Sequence, residues 1–254
     1  DLGFGFVEIG TVTPRPQAGN PKPRVFRLTK AQAMINRLGF NNKGVDHLVR
    51  KVRRHRFKGV LGINIGKNFD TPNENAADDY LHCLEMVYPY ADYITVNISS
   101  PNTRNLRDLQ GEDQLDGLLS ALAERRASLS EEHERCVPMA LKVAPDLEDE
   151  AIPALAEVVS RHRMDAVIAT NTTIGREGVD GMKHADEAGG LSGRPLKEKA
   201  DRMLGLLRQA LPKEIAMIGV GGITRGQDAV DKLKLGADLV QFYTGMVYRG
   251  PELV

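Results

Sequence analysis

Seven short apolar runs, most of them separated by stretches with helical spacing, constrain this chain more than any other feature. The runs cover residues 4–9, 60–65, 93–96, 139–143, 166–169, 215–220 and 239–243 and are rich in Val, Ile and Leu. A strand with one wet face alternates apolar and polar residues. A continuous apolar run fits a strand covered on both faces, as in a parallel sheet. Between the runs, apolar residues recur three or four apart: Val45, Leu48, Val49 and Val52; Ala77, Leu81, Leu84 and Tyr88; Leu115, Leu118, Leu119 and Leu122; Ala200, Met203, Leu204, Leu207 and Leu211; and, more briefly, Ala229, Val230 and Leu233. The second of these helices carries an explicit start signal, with Thr71 as cap, Pro72 at the first position and Glu74 three residues after the cap.

Strict β-α alternation implies a parallel sheet with right-handed crossovers. Two architectures satisfy it. An open doubly wound sheet would place a G-x-G-x-x-G turn after its first strand when it binds a dinucleotide, and that turn is missing here. A (β/α)8 TIM barrel takes about 250 residues, close to the 254 of this chain, and is the fold expected. Such a barrel has eight strands. The seven runs are therefore read as strands 2–8, with strand 1 preceding Asp1 and the end at Val254 falling at the start of a helix. Residues 1–254 are read as one barrel domain. Two segments break the alternation. Residues 11–28, rich in Pro, Gly and Arg, are read as a hairpin or loop over the barrel mouth. Residues 173–195 form a long Gly-rich connection of the kind that is a functional lid or disordered.

Composition narrows the function classes. Lys plus Arg and Asp plus Glu number 34 each, so no nucleic-acid partner is expected. With only Cys83 and Cys136 and no signal peptide, a disulfide framework is not expected. No run approaches the ~20 apolar residues that cross a bilayer.

In barrels of this kind the site forms at the carboxyl ends of the strands. The residues there are Gly10-Thr11, Asn64 with Gly66, Asn97 through Thr103, Lys142, Thr170-Asn171-Thr172, Gly221-Gly222 and Tyr243-Thr244-Gly245. Nearly all are neutral polar groups, with one cation. His and carboxylate ligands for a metal are missing from these positions, and so is a Ser-His-Asp relay; no metal site is expected. Asparagine amides donate and accept, so a ring of them suits a ligand with imide and carbonyl edges, such as an isoalloxazine or a pyrimidine. The glycines after the last two strands sit where barrels bind phosphate. Lys142, on an apolar strand, is costly to bury without a role. It reads either as an anion stabiliser beside a flavin or as a Schiff-base nucleophile in an aldolase. A further alternative is a barrel fragment that binds flavin weakly and turns nothing over.

The segments GTVTPRPQ, INRLGFNN, GINIGKN, ITVNISSPNT, LKVAPDL, IATNTT, GGLSGRPL, IGVGGI and QFYTG occur in that order along the chain. In order and spacing they resemble the class 2, quinone-dependent dihydroorotate dehydrogenases, and the resemblance covers essentially the whole chain. It implies a barrel that binds FMN, oxidation of (S)-dihydroorotate to orotate in pyrimidine synthesis, and re-oxidation of the flavin by ubiquinone or menaquinone. It also implies peripheral attachment to the cytoplasmic side of the bacterial inner membrane, through an upstream helical domain that this chain does not include.

By the same resemblance, Ser100 is the base that takes the C5 proton; the class 1 enzymes have cysteine there. Substrate contacts map to Asn36, Arg37, Leu38, Gly39, Phe40, Asn97, Asn102, Asn171 and Thr172. Flavin contacts map to Thr11, Asn64, Asn97, Lys142, Thr170, Gly193, Gly222, Tyr243 and Thr244. Thr103 and Phe40 match groups that assist proton exit, and Arg27 and Tyr243 match the quinone end. The loop from Asn97 to about Gln110 is read as a closing lid, cleavable near Arg104 or Arg107. The basic run of Arg50, Lys51, Arg53, Arg54, His55 and Arg56 is read as a solvated helix face, with an anionic-lipid contact as the alternative.

Overall fold

The computed structural model describes residues 2–54, 57–103 and 105–254. Arg104, and His55 and Arg56 of the basic run, lie outside the described residues. Seven parallel strands form the main sheet: β1 (Phe6–Val12), β4 (Val60–Ile65), β5 (Tyr93–Asn97), β6 (Met139–Val143), β7 (Ala166–Ala169), β9 (Ala216–Val220) and β10 (Leu239–Gln241). Their spatial order, β1-β4-β5-β6-β7-β9-β10, is their chain order. A doubly wound sheet reverses direction at a switch point; this sheet never does. It also curls. Lys142, on the middle strand, reaches Gln241 on one edge strand at 3.5 Å and Glu8 on the other at 3.4 Å. The Phe4 and Phe242 rings, from the two edges, lie 5.8 Å apart. The architecture is that of an α/β barrel.

Among the described residues, seven helices complete it: α1 (Val45–Val52), α2 (Ala76–Val87), α3 (Glu112–Glu132), α4 (Ile152–Arg161), α5 (Lys197–Ala210), α6 (Gly226–Lys234) and α7 (Thr244–Arg249). Side chains alternate across each strand. One set, including Ile63, Val96, Leu141 and Val167, packs outward against helix residues such as Leu84, Leu119, Val159 and Leu204 in the principal core. The other set points inward. Its lower layer is apolar, with Ala140, Ile168 and Ile218 packed beside Phe6, and its upper layer is polar. The continuous apolar runs thus reflect burial on both faces.

Three short strands escaped the sequence reading. The hairpin β2 (Val25–Leu28) and β3 (Ala33–Asn36) pairs antiparallel, and β3 pairs in turn with β8 (Gly190–Gly193). A second core of Phe26, Leu28, Ala33, Ile35, Val179, Ala185 and Leu191 lies under them. Residues 173–195 are therefore not disordered. One guanidinium pins them: Arg176 donates to the carbonyls of Ile174, Gly175, Ala185, Glu187 and Gly189 at 2.7–2.9 Å.

Two local expectations are corrected. Helix α2 begins at Ala76 behind a 3-10 turn, Asn73–Asn75. Thr71 does not cap it, because its hydroxyl donates instead to Asp79 at 2.7 Å. On α6 the apolar set is not the buried face: Val230 and Leu233 are exposed, whereas Asp228 and Lys232 are buried. The Lys232 ammonium, fully enclosed, pairs with Asp201 of α5 at 2.6 Å, so an ion pair sets the orientation of this helix. Cys83 is buried and Cys136 exposed.

Candidate active site

The inward layer of the strands and the small sheet enclose a cavity of about 760 Å³. A charge pair sits at its floor. Glu8, in the middle of β1, lies opposite Gly62 of β4. Without a side chain at Gly62, Tyr93 can lie across that strand: a Cβ there would fall 2.4 Å from the Tyr93 hydroxyl. Tyr93 then donates to Glu8 Oε2 at 3.2 Å, joined by Thr95 Oγ1 at 2.9 Å. Glu8 Oε1 accepts from Asn64 Nδ2 at 2.8 Å and from Lys142 Nζ at 3.4 Å. Burial pushes the Glu8 carboxyl up, but Lys142 and the bonds from Asn64, Thr95 and Gln241 outweigh it and hold it below its ordinary value.

Above the floor, amides and hydroxyls from successive strands are joined. Thr11 donates to Asn64 Oδ1 at 2.6 Å, Asn97 Nδ2 donates to Thr11 at 3.0 Å, and Asn171 Nδ2 donates to Asn97 Oδ1 at 3.3 Å. Asn102 Nδ2 donates to Asn36 Oδ1 at 3.2 Å, tying the loop after β5 to the end of β3. Each member stands at or just beyond a strand end, where the polar upper layer meets the mouth.

Ser100, 5% exposed, sits in the loop after β5. Its Oγ accepts the Asn102 backbone N–H at 3.2 Å. An N–H aimed at this oxygen would stabilise negative charge on it. The loop is anchored by Arg107, whose guanidinium donates to Ser99 O (3.0 Å), Asp146 (2.8 Å) and Thr172 O (2.8 Å). Asp146 also accepts from Lys199 at 2.7 Å and from Thr173. Burial raises the Asp146 carboxyl, and the bonds from Lys199, Thr173, Arg107 and the Ile174 N–H bring it below its ordinary value. Thr103 and Thr172 carry buried hydroxyls with no hydrogen-bond partner among the described residues. Unpaired buried hydroxyls are costly unless a ligand satisfies them.

At the β9 end, Gly222 (φ +76°) rests on the first turn of α5, where a Cβ would lie 2.4 Å from Lys197 Cα. Thr244 Oγ1 donates to Ser192 Oγ at 2.8 Å, closing this end against the small sheet. Gly193, Gly222 and Thr244 thereby bring three backbone segments to one end of the cavity.

The cavity gathers almost every residue singled out in the sequence. Asn36, Leu38, Gly39, Phe40, Asn97, Ser100, Asn102, Asn171 and Thr172 line it, as do Thr11, Asn64, Lys142, Thr170, Gly193, Gly222, Tyr243 and Thr244. Arg37 is the departure. Its guanidinium turns away to Glu187 at 2.7 Å, to the carbonyls of Pro23 and Ala188, and over the Phe26 ring at 4.7 Å. Arg27 and the buried Thr103 are likewise not among the lining residues, whereas Tyr243 lines the cavity and is 73% exposed. The sequence reading missed Glu8, Gln241, Arg107 and Asp146. Glu8 gave the same signal as Lys142, a charge inside an apolar strand. Arg107 and Asp146 gave none, because their partners are brought together only by the fold.

Comparison with known proteins agrees with this geometry. The family model described as dihydroorotate dehydrogenase matches residues 1–254. A dihydroorotate dehydrogenase (quinone) of Burkholderia multivorans is 58% identical over 253 residues, which is 100% of this chain and 73% of that protein. One from Burkholderia pseudomallei is 59% identical, over 100% of this chain and 74% of its own length. Among solved structures, a dihydroorotate dehydrogenase of Eimeria tenella in complex with ferulenol superposes with a TM-score of 0.92 at 41% identity, covering 99% of this chain and 72% of that one. Its ligand-free form gives 0.91 at 40%, covering 99% and 75%.

Proposed function

The chain belongs to the dihydroorotate dehydrogenase family, and on that premise we propose that it oxidises (S)-dihydroorotate to orotate with FMN as cofactor and a membrane quinone as final oxidant. The observation that carries this reading is one cavity in which Ser100 and a ring of asparagines stand above the Lys142–Glu8 pair. FMN, when bound, supplies the hydride acceptor for C6 of the substrate. Lys142 and Asn64 fit the edge of its ring system, and Gly193, Gly222 and Thr244 fit its phosphate. In this reading the seven parallel strands take positions two to eight of the barrel.

Ser100 Oγ takes the proton from C5, helped by the Asn102 N–H. Asn36, Asn97, Asn102 and Asn171 hold the carboxylate and the imide edge of the pyrimidine, orienting C5 toward Ser100 and C6 toward the flavin. The unpartnered hydroxyls of Thr172 and Thr103 accept ligand or relay the proton outward. Tyr243 and Arg27 face the quinone, which is ubiquinone or menaquinone. Since such quinones dissolve in the bilayer, the protein works at the cytoplasmic face of the inner membrane. No helix among the described residues is long and apolar enough to cross one. The aldolase reading loses its support, since a Schiff-base lysine must act as a free amine and Lys142 is ion-paired. Mass spectrometry of the cofactor released from the purified protein, together with anaerobic bleaching of the flavin by dihydroorotate, tests the proposal. FMN and rapid bleaching are expected; another cofactor, or a flavin that dihydroorotate does not reduce, would overturn it.

A further inference from the structure

One chain of hydrogen bonds crosses the cavity from mouth to floor and runs one way. At the mouth the Thr172 backbone N–H, which can only donate, gives to Asn171 Oδ1 at 2.8 Å. Asn171 then donates to Asn97, Asn97 to Thr11, Thr11 to Asn64, and Asn64 to Glu8. An ionised carboxylate can only accept. With a pure donor at one end and a pure acceptor at the other, each intervening amide has one orientation that keeps the chain intact. Flipping Asn64 would set its carbonyl against Glu8 and its amide against a hydroxyl that needs an acceptor.

Glu8 also meets the cavity's cation. Lys142 Nζ lies between Glu8 Oε1 at 3.4 Å and Gln241 Oε1 at 3.5 Å. Glu8 is almost completely enclosed and takes bonds on both oxygens. Buried ion pairs contribute little net stability, because desolvation offsets their attraction. Stability alone therefore does not account for a charge at this position.

We infer that Glu8 is a positioning residue: through Asn64 it fixes which way the cavity's amides face, and through Lys142 it sets how much positive charge the site presents to the flavin. The inference rests on the reading of the cavity as a flavin and dihydroorotate site. Reduction adds negative charge to the flavin, and an unbalanced Lys142 would favour it. Glu8 balances that cation and holds the flavin's midpoint potential down.

The test measures the midpoint potential at saturating FMN for the unsubstituted protein, Glu8→Gln, Lys142→Met and the double variant. Glu8→Gln should bind FMN and shift the reduction equilibrium upward about tenfold, about 30 mV for a two-electron couple. In the Lys142→Met background the same substitution should shift the potential clearly less, because without the cation burial pushes the carboxyl up and only the bonds from Asn64, Thr95 and Gln241 oppose it. A flavin bound by Glu8→Gln at an unchanged potential would refute the inference, and so would an equal shift in both backgrounds. If Glu8→Gln alone fails to fold, the double variant replaces the pair by neutral groups and is compared directly with Lys142→Met; a difference of about tenfold or more between them is then the refuting result. Failure of the unsubstituted protein to take up FMN would sink the functional reading itself, a result distinct from a bound flavin at an unshifted potential.

Discussion

At the scale of single residues, Lys142 and Glu8 divide the work of placing charge in a cavity otherwise lined by neutral groups. Lys142→Ala should weaken FMN binding by about 10- to 100-fold, the loss of one charge-assisted contact worth about 1.5–3 kcal/mol. Titration of the apoprotein with FMN checks this, and unchanged affinity would remove Lys142 from the flavin site. Glu8 makes a second, pH-dependent prediction. Its folded carboxyl lies below the ordinary value of 4.5. The stability it contributes is fully present above 4.5 and is lost as pH falls through the lower, folded value. Asp146, lowered from 3.8, acts in the same sense. Melting temperature should therefore fall more steeply with acidification in the unsubstituted apoprotein than in Glu8→Gln; parallel curves would contradict the assignment. Of these charges the sequence pointed only to Lys142, through the cost of burying a cation in an apolar strand. The same argument applies to Glu8 in the run FVEIG, which lies mid-strand and not at the carboxyl end where the other polar groups gather.

At the scale of elements, the loop after β5 is anchored toward β6 and β7 by a side chain from its own 3-10 turn, Leu106–Gln110. Arg107 ties this loop to the ends of β6 and β7 through Asp146 and the Thr172 carbonyl. Leu106 and Leu109 bury beneath it, so a closing motion would be confined to the residues between Asn97 and Arg107. Arg107→Ala should raise the rate of thermolysin cleavage in this segment about 10- to 100-fold, since opening no longer breaks charge-assisted bonds, and orotate should restore protection. Equal cleavage of the two proteins would show that the anchor does not restrain the loop. Helix periodicity located α1, α2, α3 and α5 but did not single out α4 (Ile152–Arg161). It misassigned α6, where burial follows the Lys232–Asp201 ion pair and not the apolar positions. The strands β2, β3 and β8 were not legible, being four residues each, and β8 pairs with β3 only through contacts some 150 residues apart in sequence, such as Met34 with Ser192.

For the whole molecule, strand count and alternation foretold the curled parallel sheet, and chain-order pairing decided between barrel and doubly wound sheet. Residues scattered from Thr11 to Thr244 converge because every strand of a singly wound barrel delivers its carboxyl end to the same face. Position in the alternation thus predicted the cavity lining better than residue type did. Of the exceptions, Arg27 lies in the hairpin and Arg37 just after it, outside that alternation, whereas Thr103 is buried behind the loop after β5. The central claim is that this cavity oxidises dihydroorotate with Ser100 as base. Anaerobic stopped-flow mixing of the FMN-loaded protein with dihydroorotate measures it most directly. Flavin bleaching in Ser100→Ala should be about 10²- to 10⁴-fold slower than in the unsubstituted protein at the same flavin occupancy, the range for loss of a general base, with orotate affinity little changed. Bleaching at the unsubstituted rate in a fully loaded Ser100→Ala would contradict the account.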